Sequence, residues 1–226
     1  MYARRLVLLG VVCLLTATFV FSARPSHAAV IQPPVEFNFI RVISGTPPSA
    51  SAPWAKLKIE HDSTNVVKLT LDLLWSSPDG KNPFADYLLL NVEPFVSVTL
   101  VPSSVSGGGS ITGVSSGSDT FTDAGSRYDV KIEFDNAPPS DRLIGGETLT
   151  WKLTGTGLTP GHFKALSAPP NGHGDPTKRD YALLHVGGTG EDGQYSGKLG
   201  VIPEPATLIL FGMGLAAPLA ARRRKR

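Results

Sequence analysis

The chain has 226 residues, with 21 lysines and arginines, 19 aspartates and glutamates, and a single cysteine. A lone cysteine excludes an internal disulfide framework and a zinc site built from several thiolates. The net charge of +2 is divided unevenly: three basic residues precede residue 29 and five close the chain, whereas Glu204 is the only acidic residue outside residues 29–200. Residues 29–200 therefore carry a charge of about −5, which argues against nucleic acid as a partner.

The N-terminus has the order of features that is typical of a secretory signal peptide. Two arginines precede the apolar run Leu6–Phe21. In Ser26-His27-Ala28, small residues occupy the two positions that signal peptidase recognises before a cut after Ala28. We expect the Sec translocase to export the chain and signal peptidase to cut between Ala28 and Ala29, which removes residues 1–28 and with them Cys13. The alternative is an N-terminal membrane anchor, but a run of 16 residues is short for a full span.

Residues 29–200 show the alternation of apolar and polar side chains that is typical of strands with one solvated face. Five segments alternate in this way: Lys56–Glu60, Val67–Leu73, Val96–Leu100, Tyr128–Asp135 and Leu149–Thr154. Two further segments, Tyr87–Val92 and Tyr181–Val186, are more continuously apolar, and we expect them to be covered on both faces. Turn residues separate the segments, and none has a helical stripe. We therefore predict an all-β fold in which residues 29–200 form one antiparallel, jelly-roll-like β-sandwich.

One catalytic pattern occurs in this body. Residues 113–117 read Gly-Val-Ser-Ser-Gly and match the nucleophile elbow, which requires a buried strand before the serine and a helix after it. They lie in a Ser/Gly-rich stretch, residues 103–118, that we interpret as a loop with no helix behind it. We therefore expect no catalysis, and no residue pattern indicates a cofactor.

Two tryptophans and one acidic loop are candidates for binding sites. Trp54 follows a proline and Trp75 ends a strand, so we expect one or both indoles to lie exposed, where they would stack on a sugar. We predict no metal; the alternative is calcium at Asp79, Asn82 and Asp86, whose spacing does not fit an EF-hand loop. Ordinary turn chemistry also explains these three residues, because Asp and Asn favour turns.

The C-terminus combines three features in order. Pro203-Glu204-Pro205 is followed by the apolar run Ala206–Ala221 and by a basic tail. The tail consists of Arg222, Arg223, Arg224, Lys225 and Arg226. A helix of 16 residues spans about 24 Å, a little less than the hydrocarbon core of a bilayer, and basic residues behind it stop translocation and stay cytoplasmic. We predict a transmembrane helix over residues 206–221 that leaves the body outside the cytoplasm.

These three features resemble the PEP-CTERM sorting signal of bacteria, over residues 201–226. The resemblance implies transient anchoring in the inner membrane and cleavage near Pro203-Glu204-Pro205 by exosortase, a membrane-embedded transpeptidase-like enzyme. It further implies delivery to the cell surface or the extracellular matrix and an association with exopolysaccharide in biofilms.

The end of the body resembles a box that precedes the sorting signal in many such proteins. In that box an Ala-x-His-Val strand meets a Gly-rich strand with an aromatic residue. Ala182, His185 and Val186 match the first strand in type, with one extra residue in the spacing, and Tyr195 stands for the aromatic residue. The resemblance implies a small β-sandwich, in which we expect His185 to pack or hydrogen-bond structurally.

We therefore predict an exported surface or matrix protein that is sorted by exosortase, is associated with exopolysaccharide and is not an enzyme. The first alternative is a carbohydrate-binding or carbohydrate-active module. The second is an ice-binding protein, because the same signal occurs on some ice-binding proteins. The absence of an internal repeat weighs against that reading.

Overall fold

The computed structural model describes residues 32–76, 82–169 and 179–201, and in these residues two antiparallel β-sheets dominate. The predicted signal peptide, the predicted sorting signal and the turn at residues 77–80 lie outside the described residues.

Thirteen strands follow one another along the described chain. They are β1 (Val35–Phe39), β2 (Arg41–Gly45), β3 (Ala55–Ser63), β4 (Val66–Leu73), β5 (Phe84–Leu90), β6 (Thr99–Leu100), β7 (Ser106–Gly107), β8 (Ile111–Asp123), β9 (Ser126–Phe134), β10 (Leu143–Ile144), β11 (Thr148–Thr154), β12 (Ala182–Thr189) and β13 (Tyr195–Gly200). Two 3₁₀ turns, Pro139–Asp141 and Pro160–Phe163, connect some of them.

The strands divide into two sheets. Sheet I has the order β1-β3-β4-β11-β6, and β7 also pairs with β11. Sheet II has the order β2-β13-β12-β5-β9-β8, and β10 also pairs with β5. Every pair of strands is antiparallel. The predicted all-β, antiparallel two-sheet body is confirmed.

The two sheets bury one large apolar core between them. Leu69 and Leu71 of β4 point into it and are fully buried, whereas Thr70 between them is partly exposed and hydrogen-bonds Thr150 on the neighbouring strand. Trp151 lies opposite Leu69 and meets Phe134 of sheet II edge-on, with ring centroids 6.1 Å apart. Each such side chain contributes about 1.5–3 kcal/mol by leaving water. The alternation therefore fixes which face of each strand turns inward.

Strands β5 and β12 are covered on both faces, as their continuous apolar sequence predicts. Leu88 and Leu184 are fully buried in the main core. Their neighbours Leu89 and Leu183 point the other way, into a second apolar cluster around the fully buried Tyr128.

The alternating segments are confirmed as β3, β4, β9 and β11, but Val96–Leu100 is wrong in its extent. Only Thr99–Leu100 pairs as a strand, β6. Residue 98 instead bonds a side chain, because the Val98 amide donates to Ser116 Oγ at 3.1 Å and the Val98 carbonyl accepts from that hydroxyl at 3.2 Å.

The interpretation of residues 103–118 as a loop is wrong for their second half. Residues from Ile111 onwards form β8, which pairs with β9 along its length and is interrupted by an irregularity between Ser116 and Phe121. Ser and Gly favour strands little by themselves, but hydrogen bonds to β9 override that preference. Ser116 also joins this edge of sheet II to the chain that enters sheet I at β6.

Gly197 gives a test of the packing between β13 and β2. A β-carbon at Gly197 would lie 2.3 Å from the Thr46 carbonyl oxygen, a backbone atom. Gly197→Ala should therefore lower the free energy of unfolding by about 1–3 kcal/mol, as overpacking does, measured by chemical denaturation. Gly113→Ala on β8 is the control, because its nearest atom is the side-chain oxygen of Glu133 at 3.3 Å. Equal losses in the two variants would contradict the tight approach.

Candidate functional site

The chain is held in the body up to the last described residue. β13 lies between β2 and β12 in sheet II, and Val201, one residue beyond β13, is 4% exposed. The Val201 amide donates to the Ala182 carbonyl at 3.3 Å, and the Tyr181 amide donates to the Val201 carbonyl at 3.5 Å. Only Ile202 separates this anchored residue from Pro203.

Just before β12, Asp180 is a buried carboxylate. Its side chain is 1% exposed, and neither carboxylate oxygen accepts a hydrogen bond from the described residues. Arg41 Nη2 lies 3.8 Å from one oxygen. Burial raises the pKa of Asp180 to about 6, and the positive charge of Arg41 opposes this shift. The ionised form is therefore costly to this fold.

The backbone of Asp180 is better satisfied than its side chain. Its carbonyl accepts from the Ser167 amide at 2.9 Å and from Asn91 Nδ2 at 3.4 Å, and its amide donates to Ser167 Oγ at 3.1 Å. These bonds join Asn91, just after β5, and the segment around Ser167 to the start of the hairpin that β12 and β13 form.

His185 lies on β12, as predicted, in a polar cluster on the outer face of sheet II. Its Nδ1 lies 2.9 Å from Asp86 Oδ2, and its ring stacks on Tyr87 with centroids 4.7 Å apart. The bond to His185 lowers the pKa of Asp86. The Tyr87 hydroxyl donates to Asp123 at 2.5 Å, and Lys198 donates to the other oxygen of that carboxylate. These groups pair with one another, so the histidine of the box has a structural role.

The prediction that Trp54 or Trp75 lies exposed is wrong. Trp54 is 9% exposed and its indole N–H donates to the Ala50 carbonyl at 2.7 Å. Trp75 is 1% exposed and donates to the Pro83 carbonyl at 3.1 Å. Each ring packs in the core while its N–H reaches a nearby carbonyl, the usual arrangement for buried tryptophan. A sugar needs an exposed ring face, so neither indole provides one.

The calcium candidates are only partly described. Asp79 lies outside the described residues, Asn82 is exposed, and the two oxygens of Asp86 are bonded by His185 and by Asn136 Nδ2, the latter at 3.1 Å. Within the described part of the chain, no group of three or more His, Cys, Asp or Glu side chains is placed to hold a metal ion. Calcium binding that involves Asp79 stays an untested alternative.

A polar cleft of about 290 Å³ opens next to Asn91 and Arg179. Three parts of the chain form it: residues 91–95 after β5, residues 118–119 in the irregular part of β8, and residues 165–168 together with Arg179. Asn91 Nδ2 also donates to the Tyr181 carbonyl at 3.3 Å, so the cleft adjoins the segment that bonds Val201.

Asp129 of β9 holds two walls of the cleft together. Its side chain accepts from the Val92 amide at 2.9 Å and from the Asp119 amide at 2.7 Å. Arg179 Nε donates to the Ser167 carbonyl at 2.6 Å and fixes the third wall. The cleft is therefore shaped before any ligand arrives.

Comparison with known proteins concerns the end of the chain. The family model described as the PEP-CTERM protein-sorting motif matches residues 201–225. The chain carries a PEP-CTERM sorting motif. The match begins at Val201, the residue at which the described body ends. No curated protein matches the chain, and no solved structure matches it.

The PEP-CTERM motif implies an exported protein that is transiently anchored through its C-terminal region and processed by exosortase. The resemblance seen in Pro203-Glu204-Pro205 and the residues after it is confirmed. The predicted transmembrane helix over residues 206–221 and the basic tail lie outside the described residues. In the described ranges, no helix is long and apolar enough to cross a membrane.

Sequence reasoning missed both Asp180 and the cleft. Asp180 precedes an apolar strand, a position that is also common for exposed residues, so only tertiary packing reveals its burial. The cleft joins residues that lie up to 88 positions apart, from 91 to 179. One signal was present in the sequence: Phe95 follows Glu-Pro outside the alternating rows.

Asp180 gives the body a testable pH dependence. The pKa of Asp180 rises from an ordinary value of 3.8 to about 6 on folding. The stability that protonation of Asp180 contributes is therefore fully present below pH 4 and is lost as the pH rises through 6. Asp180→Asn should therefore be more stable than the wild type at pH 8, by at most about 3 kcal/mol, with the difference vanishing at pH 4. Thermal unfolding between pH 4 and 8 measures this. Glu191→Gln, which removes an exposed carboxylate, is the matched control. An Asp180→Asn profile that runs parallel to that of the wild type would contradict the assignment.

Proposed function

We propose that the protein is a cell-surface or extracellular-matrix protein that associates with exopolysaccharide and catalyses no reaction of its own. The observation that carries the proposal is a PEP-CTERM motif attached directly to a folded β body at Val201. In this proposal the Sec translocase exports the chain, signal peptidase cuts between Ala28 and Ala29, and exosortase releases the body from the inner membrane.

The geometry around the Gly-Val-Ser-Ser-Gly sequence does not fit that of a nucleophile elbow. Ser115 lies on the exposed side of β8 and opposite Lys131 of β9, and the chain continues as a strand. A nucleophile elbow needs a sharp turn into a helix that points the hydroxyl into a site. Ser116, its neighbour, bonds the backbone of Val98 and has a structural role.

Carbohydrate binding by the body is the second candidate, and the cleft beside Arg179 favours it. The cleft is fixed in shape and lined mainly by polar groups, with the exposed ring of Phe95 at its side. This function is compatible with the first, since a matrix protein is retained by what it binds.

Loss of the sorting step provides the test of the proposal. Deletion of exosortase, or replacement of Pro203, Glu204 and Pro205 together by alanine, should leave the full C-terminus on the chain and hold the protein in the membrane fraction. Glu191→Ala, another glutamate but in an exposed turn, should be sorted like the wild type. Truncated protein reaching the surface in equal yield without exosortase would contradict the proposal.

The packing of Val201 predicts where the processed chain ends. A cut before Val201 would remove residues whose backbone bonds Ala182 and Tyr181 inside the body. The intact mass of protein recovered from the cell surface should therefore match a chain that starts near Ala29 and retains Val201. A mass that corresponds to a chain ending before Val201, or to one that includes residues 206–226, would contradict this expectation.

A further inference from the structure

The cleft beside Arg179 has the features of a site for a small polar molecule. Its volume of about 290 Å³ lies just below the usual range for ligand pockets, about 300–1,000 Å³. A single sugar ring fits such a space, whereas an extended oligosaccharide would have to continue outside it. Its lining is mainly polar, unlike that of lipid-binding or steroid-binding cavities.

The walls of the cleft are held by bonds that do not involve a ligand. Asp129, itself 9% exposed, accepts hydrogen bonds from the backbones of Val92 and Asp119. Arg179 is fixed by the carbonyls of Ser167 at 2.6 Å and Leu166 at 3.3 Å. A binding site that is already ordered loses little conformational entropy when a ligand binds.

Phe95 supplies the apolar surface in this polar setting. The residue is 42% exposed, which distinguishes it from the buried phenylalanines at positions 37, 39, 134 and 163. A pyranose ring presents C–H groups on one face and hydroxyls around its edge. That pattern matches an aromatic face beside carboxylates and amides.

The charge of the cleft selects among sugars. Among the described lining residues, Glu93, Asp119 and Asp129 contribute three carboxylates, against the single guanidinium of Arg179. A uronate or another anionic sugar would be repelled by this excess of negative charge. A neutral sugar avoids the repulsion and finds several acceptors for its hydroxyl groups.

We infer that the cleft binds one sugar unit of a neutral polysaccharide, with the pyranose ring packed on Phe95. The inference rests on the proposed association with exopolysaccharide and names the site and the class of sugar for it. Phe95 thus replaces the buried Trp54 and Trp75 as the predicted sugar contact.

Affinity electrophoresis of the protein purified from the cell surface tests the inference. The probes are dextran and galactomannan as neutral polymers and alginate as a polyuronate, each cast into a native gel. We expect at least one neutral polymer to retard the wild type and alginate to leave its mobility unchanged. Phe95→Ala should weaken binding about tenfold, since an aromatic contact contributes of the order of 1.4 kcal/mol.

Tyr195→Ala is the matched control, because Tyr195 is an aromatic residue, is 55% exposed and does not line the cleft. It should bind like the wild type. Asp119→Asn provides a second variant that tests the role of charge: its backbone φ of +50° suits asparagine, and it should raise retention on alginate. Thermal unfolding of each variant confirms that it is folded.

Three outcomes would overturn the inference: no retardation by either neutral polymer, stronger retardation by alginate, or equal retardation of Phe95→Ala and the wild type. Each is distinguishable from failure of the proposed function. Exosortase-dependent release and the mass of the processed chain are read separately, and Phe95→Ala leaves Pro203-Glu204-Pro205 untouched. If the protein is sorted normally but neutral polymers do not retard it, only the sugar site is refuted.

Discussion

Sheet II depends on the pairing of the last hairpin of the body with strands from its beginning and its middle. β12 pairs with β5, with Leu184 opposite Leu88, and β13 pairs with β2. Without this hairpin, β2 would be separated from the β5-β9-β8 half of the sheet. Contacts between residues far apart in sequence form slowly, since the chain between them must first be ordered. Sheet II is therefore complete only once β12 and β13, the strands immediately before the sorting motif, have paired with β5 and β2.

The same hairpin explains why a carboxylate is tolerated at Asp180. The backbone of this residue bonds Ser167 and Asn91, which closes the chain over the end of the apolar strands β5 and β12. Satisfied backbone groups offset part of the cost of burial. The side chain gains less, because Arg41 is 3.8 Å away and neither oxygen has a hydrogen-bond partner in the described structure. Its pKa of about 6 is the result of that imbalance.

Much of the fold was predictable because its central strands follow a simple rule. Alternation identified β3, β4, β9 and β11, and continuous apolar sequence identified β5 and β12. The rule fails at β8, where the many Ser and Gly residues do not alternate with apolar ones and the strand forms because it pairs with β9. The same rule would have predicted the burial of Trp75, which continues the odd-numbered inward row of β4 beyond Leu73. Its indole donates to the Pro83 carbonyl and packs against Gly145, where a β-carbon would lie 2.2 Å from the ring.

The site was less predictable than the fold, for a related reason. The sorting motif is a local sequence and was found from Pro203-Glu204-Pro205 and its flanks alone. The cleft is a product of topology, because β9 brings Asp129 between the backbones of Val92 and Asp119. The spacing of Val92, Asp119 and Asp129 in the sequence does not predict that they lie together.

The cleft and the C-terminal end of the body meet at residues 179–181. Arg179 lines the cleft, and Tyr181 bonds both Asn91, another lining residue, and Val201. A cut beyond Val201 leaves each of these bonds in place. The bonds that shape the cleft among the described residues are therefore unaffected by such a cut. The sugar site proposed above would therefore have the same geometry while the chain is anchored and after its release.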